Sequence, residues 1–284
     1  MRNNDMIKYF IIFCKMCTNK YKNRADLNHV SWLQLILYCI RQFFHLYKGT
    51  FTAALKSYKK INNEIASIIV LDRKLFLPAA LKINDITLLL REALDPKHWH
   101  QYDTPVTPVT SDDIVVDCGT SEGIWAASII NKVKKVYLIE PQYNYYELLL
   151  KTFNSNSDKE KTEIINCALG NIDGNCNIDG TGNTAAIKIN NEEGNLLIYK
   201  LDTLLKDKNI SFIKADIEGF ELEMLKGATE IIKKNKPKIA ITVYHPDNNW
   251  KEIKNFLTLL VPEYKFIRKG LIFKGKPLML HAWI

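Results

Sequence analysis

Three side chains that can accept a proton follow two short apolar segments in the second half of the chain. Asp216 and Glu218 lie in "FIKADIEGF", and His245 follows "KIAITVY". A hydroxyl that attacks an electrophile must lose its proton, and carboxylates and imidazoles are the usual acceptors. Two carboxylates one residue apart at a strand end raise each other's pKa, and Pro246 keeps His245 out of helical geometry. We therefore predict that Asp216, Glu218 and His245 form one catalytic cluster.

Other roles for the same residues remain open. Glu218 also fits a carboxylate at a helix N-terminus, and His245 also fits a histidine at the edge of a sheet without a catalytic role. The three side chains offer two oxygen ligands and one nitrogen ligand to a divalent metal, but nothing in the sequence fixes the distances between them. We therefore predict no metal. Glu221 and Glu223 follow on the next helix, and we expect Glu223 to face solvent.

A glycine-containing turn occurs earlier, in "VVDCGTSEGIW". Asp117 ends an apolar segment, and Gly119 and Gly123 follow it four residues apart. Glycine has no Cβ atom, so a ligand can lie against the backbone there, and a helix and a strand can pack closely. A dinucleotide turn has the pattern G-x-G-x-x-G, whereas this one is D-x-G-x-x-x-G. The spacing favours S-adenosylmethionine over a dinucleotide.

A second acid supports a nucleoside ligand. Glu140 ends the next apolar segment, "VYLIEP", at the distance where a carboxylate binds ribose hydroxyls in sheets of this kind. Asn166 and Cys167 follow the third segment and would lie at the same edge, although Asn166 also fits an ordinary turn. The residues predicted to hold the cofactor are Asp117, Gly119, Thr120, Gly123, Glu140, Asn166 and Cys167.

The elements around these residues predict an α/β fold. From Ile114 onward, short β-branched segments alternate with helical ones, which indicates a mostly parallel sheet with helices on both faces. We expect a hairpin insertion over 170–195, one helix over 220–234, and antiparallel strands at the C-terminus that close one edge of the sheet. Segment 65–94 has mixed helical and extended character, and the proline-containing segment 98–113 leads into the sheet. We therefore assign 1–108 to a basic, mainly helical region and 109–284 to the cofactor-binding domain.

The six cysteines show no regular spacing in this 284-residue chain. We interpret them as reduced thiols of a cytoplasmic protein. Cys14 and Cys17 have the spacing of half a zinc site, but no second pair follows, so two half-buried thiols are the simpler interpretation. The aromatic residues Trp99, His100 and Tyr102 precede the first strand and are candidates to cover the cofactor or the acceptor.

The positive charge is concentrated at the N-terminus. Residues 1–60 contain eleven Lys and Arg and two Asp and Glu, a net charge of +9, whereas the whole chain has +8. The apolar stretches there are too short to span a membrane, and no cleavage site of a signal peptide follows the first one. Two interpretations remain: helices that pack on the main domain or on a partner, or a surface that contacts an anionic membrane, at its inner face, or an acidic glycan. No nucleic-acid motif accompanies the charge, so we expect no nucleic-acid partner.

Residues 109–264 resemble the FkbM-type S-adenosylmethionine-dependent methyltransferases. The fourth-strand pattern K-x-D-x-E-G-x-E is the most specific feature, and Thr120 and Ser121 replace the alanine and asparagine usual in the family's turn. The motifs that carry the resemblance are "VVDCGTSEG", "VYLIEP", "NCALGN", "LDTLL", "IKADIEGFELEMLKGA" and "KPKIAITVYH".

The resemblance implies a class I methyltransferase sheet and an enzyme that methylates a hydroxyl of a sugar, a glycan precursor or a related natural product. It also implies that Asp117, Gly119, Gly123 and Glu140 hold the cofactor and that Asp216 and Glu218 face the reacting groups. The resemblance does not cover the N-terminal third. A noncatalytic module that recruits a partner through the basic region is the alternative.

Overall fold

The computed structural model describes residues 3–22, 29–48, 55–154, 158–179, 186–188, 195–246, 249–272 and 276–284. The helices are α1 (Asn3–Lys22), α2 (Trp32–Lys48), α3 (Ile83–Leu94), α4 (Ile124–Ile129), α5 (Tyr143–Asn154), α6 (Leu201–Leu204), α7 (Glu221–Lys226), α8 (Thr229–Asn235) and α9 (Trp250–Leu260). The strands are β1 (Ser57–Lys60), β2 (Ile65–Val70), β3 (Arg73–Pro78), β4 (Ile114–Cys118), β5 (Lys135–Ile139), β6 (Thr162–Ile165), β7 (Ala168–Leu169), β8 (Gly174–Asp179), β9 (Ala186–Lys188), β10 (Leu196–Tyr199), β11 (Phe212–Ala215), β12 (Lys238–Thr242), β13 (Lys265–Leu271) and β14 (Pro277–Trp283).

The central sheet has the strand order β13-β14-β12-β11-β4-β5-β6 in the described residues. Strands β6, β5, β4, β11 and β12 run parallel, and β14 pairs antiparallel with both β12 and β13. The parallel α/β class and the antiparallel edge formed by the C-terminus are therefore confirmed. The carboxyl ends of β4, β5, β11 and β12 meet at one edge, where ligands bind in open sheets.

Successive residues of the central strands face opposite sides of the sheet. Val115 and Phe212 belong to the apolar cluster that includes residues of α3, α4 and α5. Val116 and Ile213 belong to the cluster that includes residues of α7, α8 and α9. Because both faces are covered by helices, β4 and β11 are buried and nearly all apolar, as is typical of parallel sheets.

The region before the sheet contains both strands and helices. Strands β1, β2 and β3 form an antiparallel sheet, so the mixed character predicted for 65–94 is confirmed. Ile68 of β2, Leu75 of β3 and Leu90 of α3 share an apolar cluster with Val115 of the central sheet. This part of the chain is therefore packed on the main sheet, and the division at residue 108 stays a prediction.

We predicted one long helix after β11. This prediction is wrong in detail, because the chain forms the two shorter helices α7 and α8. The break is at Gly227, where a Cβ atom would lie 2.0 Å from the carbonyl oxygen of Gly170. Helix α8 then starts with an external cap, since the carboxylate of Asp202 accepts the backbone N–H groups of Glu230 and Ile231, both at 2.9 Å. Such a cap satisfies donors that no residue within the helix can pair.

The insertion after β7 contains the predicted hairpin, because β8 and β9 pair antiparallel. Strand β10 joins β8 to β7. In the described part of the chain, none of the helices combines the length and the apolar character needed to cross a bilayer. All six cysteines belong to that part and are free thiols.

Candidate active site

A groove lies beside the carboxyl ends of β4, β5 and β11. Its lining residues are Gly119, Ser121, Ile139, Glu140, Pro141, Gln142, Cys167, Ala168, Leu169, Asp216, Ile217 and Glu218. Of the predicted cofactor residues, Gly119, Glu140 and Cys167 line the groove, and of the predicted catalytic residues, Asp216 and Glu218 do so. We call the side formed by β4 and β5, where the sequence predicts a cofactor, the cofactor end, and the side formed by β11 and β12 the charged end.

The turn after β4 has a left-handed backbone at three of its five residues. The φ angles are +74° at Gly119, +52° at Ser121 and +73° at Gly123. A Cβ atom on Gly119 would lie 2.2 Å from the carbonyl oxygen of Asp216, and one on Gly123 would lie 2.7 Å from a methyl group of Leu149. Both glycines therefore allow close packing, Gly119 against the end of β11 and Gly123 against α5.

Two of the predicted cofactor residues, Asp117 and Thr120, stabilise this turn from outside the groove. Asp117 is 1% exposed, and its carboxylate lies 2.7 Å from the ammonium of Lys214. Lys214 also donates to the carbonyl oxygen of Gly119 at 2.7 Å. The hydroxyl of Thr120 donates to the carbonyl oxygen of Asp117 at 2.9 Å. Asp117 and Thr120 thus support the groove without lining it.

Lys214 was not singled out from the sequence. Burial by itself lowers the pKa of Lys214, but the neighbouring carboxylates of Asp117 and Asp216 more than offset this and raise it. The lysine therefore remains charged, and its ammonium lies 5.2 Å from the ring centre of Tyr102. The signal in the sequence was a lysine within the buried segment "FIKA", because a buried lysine requires a partner.

Glu140 places a carboxylate at the cofactor end. One of its oxygens accepts the N–H of Ser121 at 2.8 Å and the other accepts the N–H of Gln142 at 2.9 Å. Burial raises the pKa of Glu140 to about 7. The amide of Asn166 donates to the carbonyl oxygens of Glu140 and Pro141 at 2.8 and 3.0 Å, so Asn166 fixes the loop that presents Glu140.

The structure brings the three predicted catalytic residues together. Nε2 of His245 lies 3.1 Å from Oδ1 of Asp216, and Nδ1 lies 3.3 Å from Oε2 of Glu218. Burial by itself lowers the pKa of His245, but the hydrogen bond and charge of Asp216, with the charges of Glu221 and Glu218, raise it. A carboxylate at each ring nitrogen favours the imidazolium form of His245, in which both nitrogens donate.

Asp216 has further partners on both carboxylate oxygens. Tyr102 donates to Oδ2 at 3.1 Å, and Nε2 of His100 lies 3.3 Å from the same oxygen. Thr242 donates to Oδ1 at 3.1 Å. Burial by itself raises the pKa of Asp216, but the hydrogen bonds of His100 and His245 and the charges of His100 and Lys214 hold it well below its usual value. Asp216 is therefore a permanent negative charge.

The aromatic segment before the first strand has two different roles. His100 and Tyr102 contact Asp216, which the sequence did not predict. Trp99 instead stacks on Tyr38 of α2, with ring centres 3.6 Å apart and planes 3° from parallel. Trp99 thus packs between the N-terminal helices and β13, whereas its neighbours His100 and Tyr102 complete the charged end.

Glu218 is the acid most open to the groove. Its side chain is 39% exposed, and its φ of +59° is unusual for a residue with a side chain. Burial raises the pKa of Glu218; the charge of His245 lowers it, and the charges of Asp216 and Glu221 raise it. Glu221 supports this loop, because its carboxylate accepts the N–H groups of Ile217 at 2.9 Å and Gly219 at 3.1 Å.

The sequence comparison identifies the family. Residues 117–269, more than half of the 284-residue chain, match the model of the methyltransferase FkbM domain. The chain belongs to the FkbM methyltransferase family. No protein of curated function matches the chain.

Three solved structures illustrate what the FkbM domain is similar to. Methyltransferase FkbM from Methylobacillus flagellatus KT has 26% identity and a TM-score of 0.48, and the likeness covers 61% of this chain and 44% of that one. Precorrin-6y C5,15-methyltransferase from Geobacter metallireducens GS-15 has 10% identity and a TM-score of 0.40, with 73% and 94% covered. A Streptococcus mutans protein in complex with SAH has 13% identity and a TM-score of 0.40, with 70% and 96% covered.

The charged end of the FkbM domain also contains the ligand types of a metal site. Among the described residues, one group could hold a metal ion, and its members are Asp216, Glu221 and His245, whose ligand atoms lie within 4.8 Å of one another. The metal ligands considered from the sequence were Asp216, His245 and Glu218, with Glu218 in place of Glu221. Glu221 is fully buried; its carboxylate already accepts from Ile217 and Gly219 and shares the single hydroxyl proton of Thr242 with Asp216. A cation held by Glu221 would have to compete with those three donors.

Proposed function

We propose that the chain is a methyltransferase that uses S-adenosylmethionine to methylate a hydroxyl of a sugar, a glycan precursor or a related natural product. The observation that carries the proposal is the arrangement of the groove. Glu140, whose carboxylate accepts two backbone N–H groups, lines one end, and a half-exposed carboxylate, Glu218, lines the other. The first suits the ribose of a nucleoside, and the second suits an acceptor that must lose a proton.

The cofactor end has a carboxylate acceptor and an apolar lining that suit S-adenosylmethionine. Each oxygen of Glu140 accepts one backbone N–H and keeps a second lone pair, so the carboxylate can accept both ribose hydroxyls. The apolar residues Pro141, Cys167 and Leu169 line the same part of the groove and would hold the adenine. Gly119 allows the methionine portion to lie against the backbone.

The charged end is suited to remove a proton from a hydroxyl. When bound, S-adenosylmethionine would supply the methyl group: the acceptor oxygen would bond to the methyl carbon in line as the carbon–sulfur bond breaks, and S-adenosylhomocysteine would leave. Glu218 would accept the proton of the hydroxyl, and the raised pKa makes it a better base than an ordinary glutamate. His245 would orient Glu218 through Nδ1, while Asp216 fixes His245 through Nε2. The negative charge of Asp216 also favours a cationic sulfonium nearby.

Labelled cofactor tests this proposal. The purified protein should transfer the methyl group of methyl-labelled S-adenosylmethionine to one member of a panel of saccharides and glycan precursors. The same acceptor with its reacting hydroxyl already methylated should take up no label. Failure of the protein to bind S-adenosylmethionine in calorimetry would contradict the proposal and favour the noncatalytic module.

A further inference from the structure

The outer face of α2 is apolar and open. Its exposed side chains, between 41% and 64% accessible, are Trp32, Leu33, Ile36, Leu37 and Ile40. Positions that repeat at this spacing form one stripe along a helix. Isolated apolar residues are normal on a surface, but a contiguous stripe of large ones indicates a binding surface. We call this stripe the α2 face.

The opposite side of α2 is fixed to the protein. Leu35 is fully buried in a small cluster with Met16, Val30 and Leu271. Tyr38 stacks on Trp99, as described above, and its hydroxyl lies 3.2 Å from Nε2 of His98. The helix is therefore held by one side, so that the α2 face is directed outward.

The segment of the chain that contains α1 and α2 is positively charged. Residues 1–60 carry a net charge of +9, and α2 contains neither Asp nor Glu. On the neighbouring α1, Lys15 and Lys22 are exposed, and the ammonium of Lys20 lies 5.3 Å from the ring centre of Trp32. Apolar residues bordered by lysines are the pattern of a helix that lies in the interface of an anionic membrane.

Other binding partners of the α2 face fit the combination of exposed apolar side chains and positive charge less well. A soluble acidic glycan would account for the lysines but not for exposed side chains such as Leu33 and Leu37. A second copy of the chain would bring together two regions of +9, which repel each other. An anionic bilayer accounts for both, because its headgroups attract Lys and Arg while its acyl boundary takes up the apolar side chains.

We propose that the α2 face binds the surface of an anionic lipid bilayer. The side chains of the stripe enter the boundary between headgroups and acyl chains, and the exposed Lys15 and Lys22 of α1 contact the headgroups. The helix lies on the membrane without crossing it. This proposal does not depend on the proposed methyl transfer, because binding to a bilayer needs no cofactor and no acceptor.

Flotation of the full chain with lipid vesicles tests the proposal. Vesicles of phosphatidylcholine and phosphatidylglycerol in equal parts should bind the protein, and pure phosphatidylcholine vesicles should bind it roughly tenfold less. Higher salt should weaken the binding, because it screens the charges. The double variant Leu33→Ser/Leu37→Ser should lower the binding by roughly tenfold or more, since two large apolar side chains no longer enter the bilayer.

The control is Leu259→Ser, which removes an 83% exposed leucine from α9 and should bind vesicles as the wild type does. Both variants alter exposed positions, so thermal unfolding should show that they remain folded. The variant Lys15→Glu tests the contribution of charge to vesicle binding independently of the apolar side chains. Wild-type protein that does not float with anionic vesicles, or a double variant that floats equally well, would overturn the proposal. So would a wild-type dimer that the double variant dissociates, if neither binds vesicles.

Discussion

The two ends of the groove position their acids in different ways. At the cofactor end, Glu140 is held by the backbone N–H groups of Ser121 and Gln142. At the charged end, Asp216 is held by side chains, including those of Tyr102 and His245. The backbone donors belong to the loops that follow β4 and β5, whereas the side-chain donors come from distant parts of the chain.

The two carboxylates consequently differ in charge. Burial raises the pKa of Glu140 to about 7, because the two backbone donors and the charge of Lys214 do not compensate for the loss of water. Burial acts in the same direction on Asp216, but cationic partners hold its pKa well below the usual value. Glu140 is thus ready to change its proton occupancy when a ligand binds, whereas Asp216 is a constant charge. Partners, and not burial alone, determine how a buried acid behaves.

Of the substitutions at the two ends of the groove, we expect one at the charged end to have the largest effect, and this effect is on turnover. Glu218→Gln should lower kcat by roughly 10²–10⁴, because it removes a positioned base while keeping the shape of the side chain. The affinity for S-adenosylmethionine should remain nearly unchanged, since Glu218 belongs to the charged end. Steady-state kinetics with labelled cofactor, together with calorimetry, would measure both quantities.

Glu223→Gln is the matched control for that variant. Glu223 lies on α7, outside the lining of the groove, and pairs with Lys226 on the surface, so its loss should leave kcat within about twofold of the wild type. Wild-type turnover in Glu218→Gln would show that the proton leaves by another route.

The cofactor end should be more sensitive than the charged end to substitutions that disturb the backbone. Gly119→Ala should lower the free energy of unfolding by roughly 2–4 kcal/mol, because the new Cβ atom would clash with the carbonyl oxygen of Asp216 at a φ that disfavours alanine. Gly174→Ala on β8 is the control, since nothing lies within 4 Å of its added Cβ atom. Urea denaturation measures both, and equal stabilities would remove the packing role assigned to Gly119.

Cofactor affinity should depend on pH through Glu140. The pKa of about 7 is raised, so the free protein holds a proton on Glu140 below that pH. Ribose hydroxyls donate to the ionised form, and therefore affinity should increase as the pH rises towards 7, by at most about tenfold per pH unit, and level off above it. Glu140→Gln should remove this dependence. A wild-type affinity that is flat between pH 6 and 8 would contradict the raised pKa.

Much of the cofactor end can be predicted from the sequence because its parts are close together in the chain. The turn at Gly119 directly follows β4, and Glu140 directly follows the neighbouring strand. Parallel strands place their carboxyl ends at the same edge, so the sequence order already brings these residues together. What the sequence did not indicate is that Asp117 and Thr120 face away from the groove. The position of Lys214 behind the turn explains it for Asp117, and the hydrogen bond from Thr120 to the carbonyl oxygen of Asp117 explains it for Thr120.

Less of the charged end than of the cofactor end can be predicted from the sequence. Asp216, Glu218 and His245 were predicted as one cluster, because they follow two strands that proved adjacent in the sheet. His100 and Tyr102 were not assigned to it, since Tyr102 precedes Asp216 by 114 positions and no local pattern links them. Tertiary packing of the segment before β4 against the sheet makes that contact.

Calorimetry with S-adenosylmethionine on two variants tests the division of the groove most directly. Glu140→Ala should weaken binding by about 1–3 kcal/mol, because two buried hydroxyls lose a charged acceptor. Glu218→Gln should bind the cofactor as the wild type does. Unchanged affinity in Glu140→Ala, or an equal loss of affinity in both variants, would contradict the assignment of one end to the cofactor and the other to the proton.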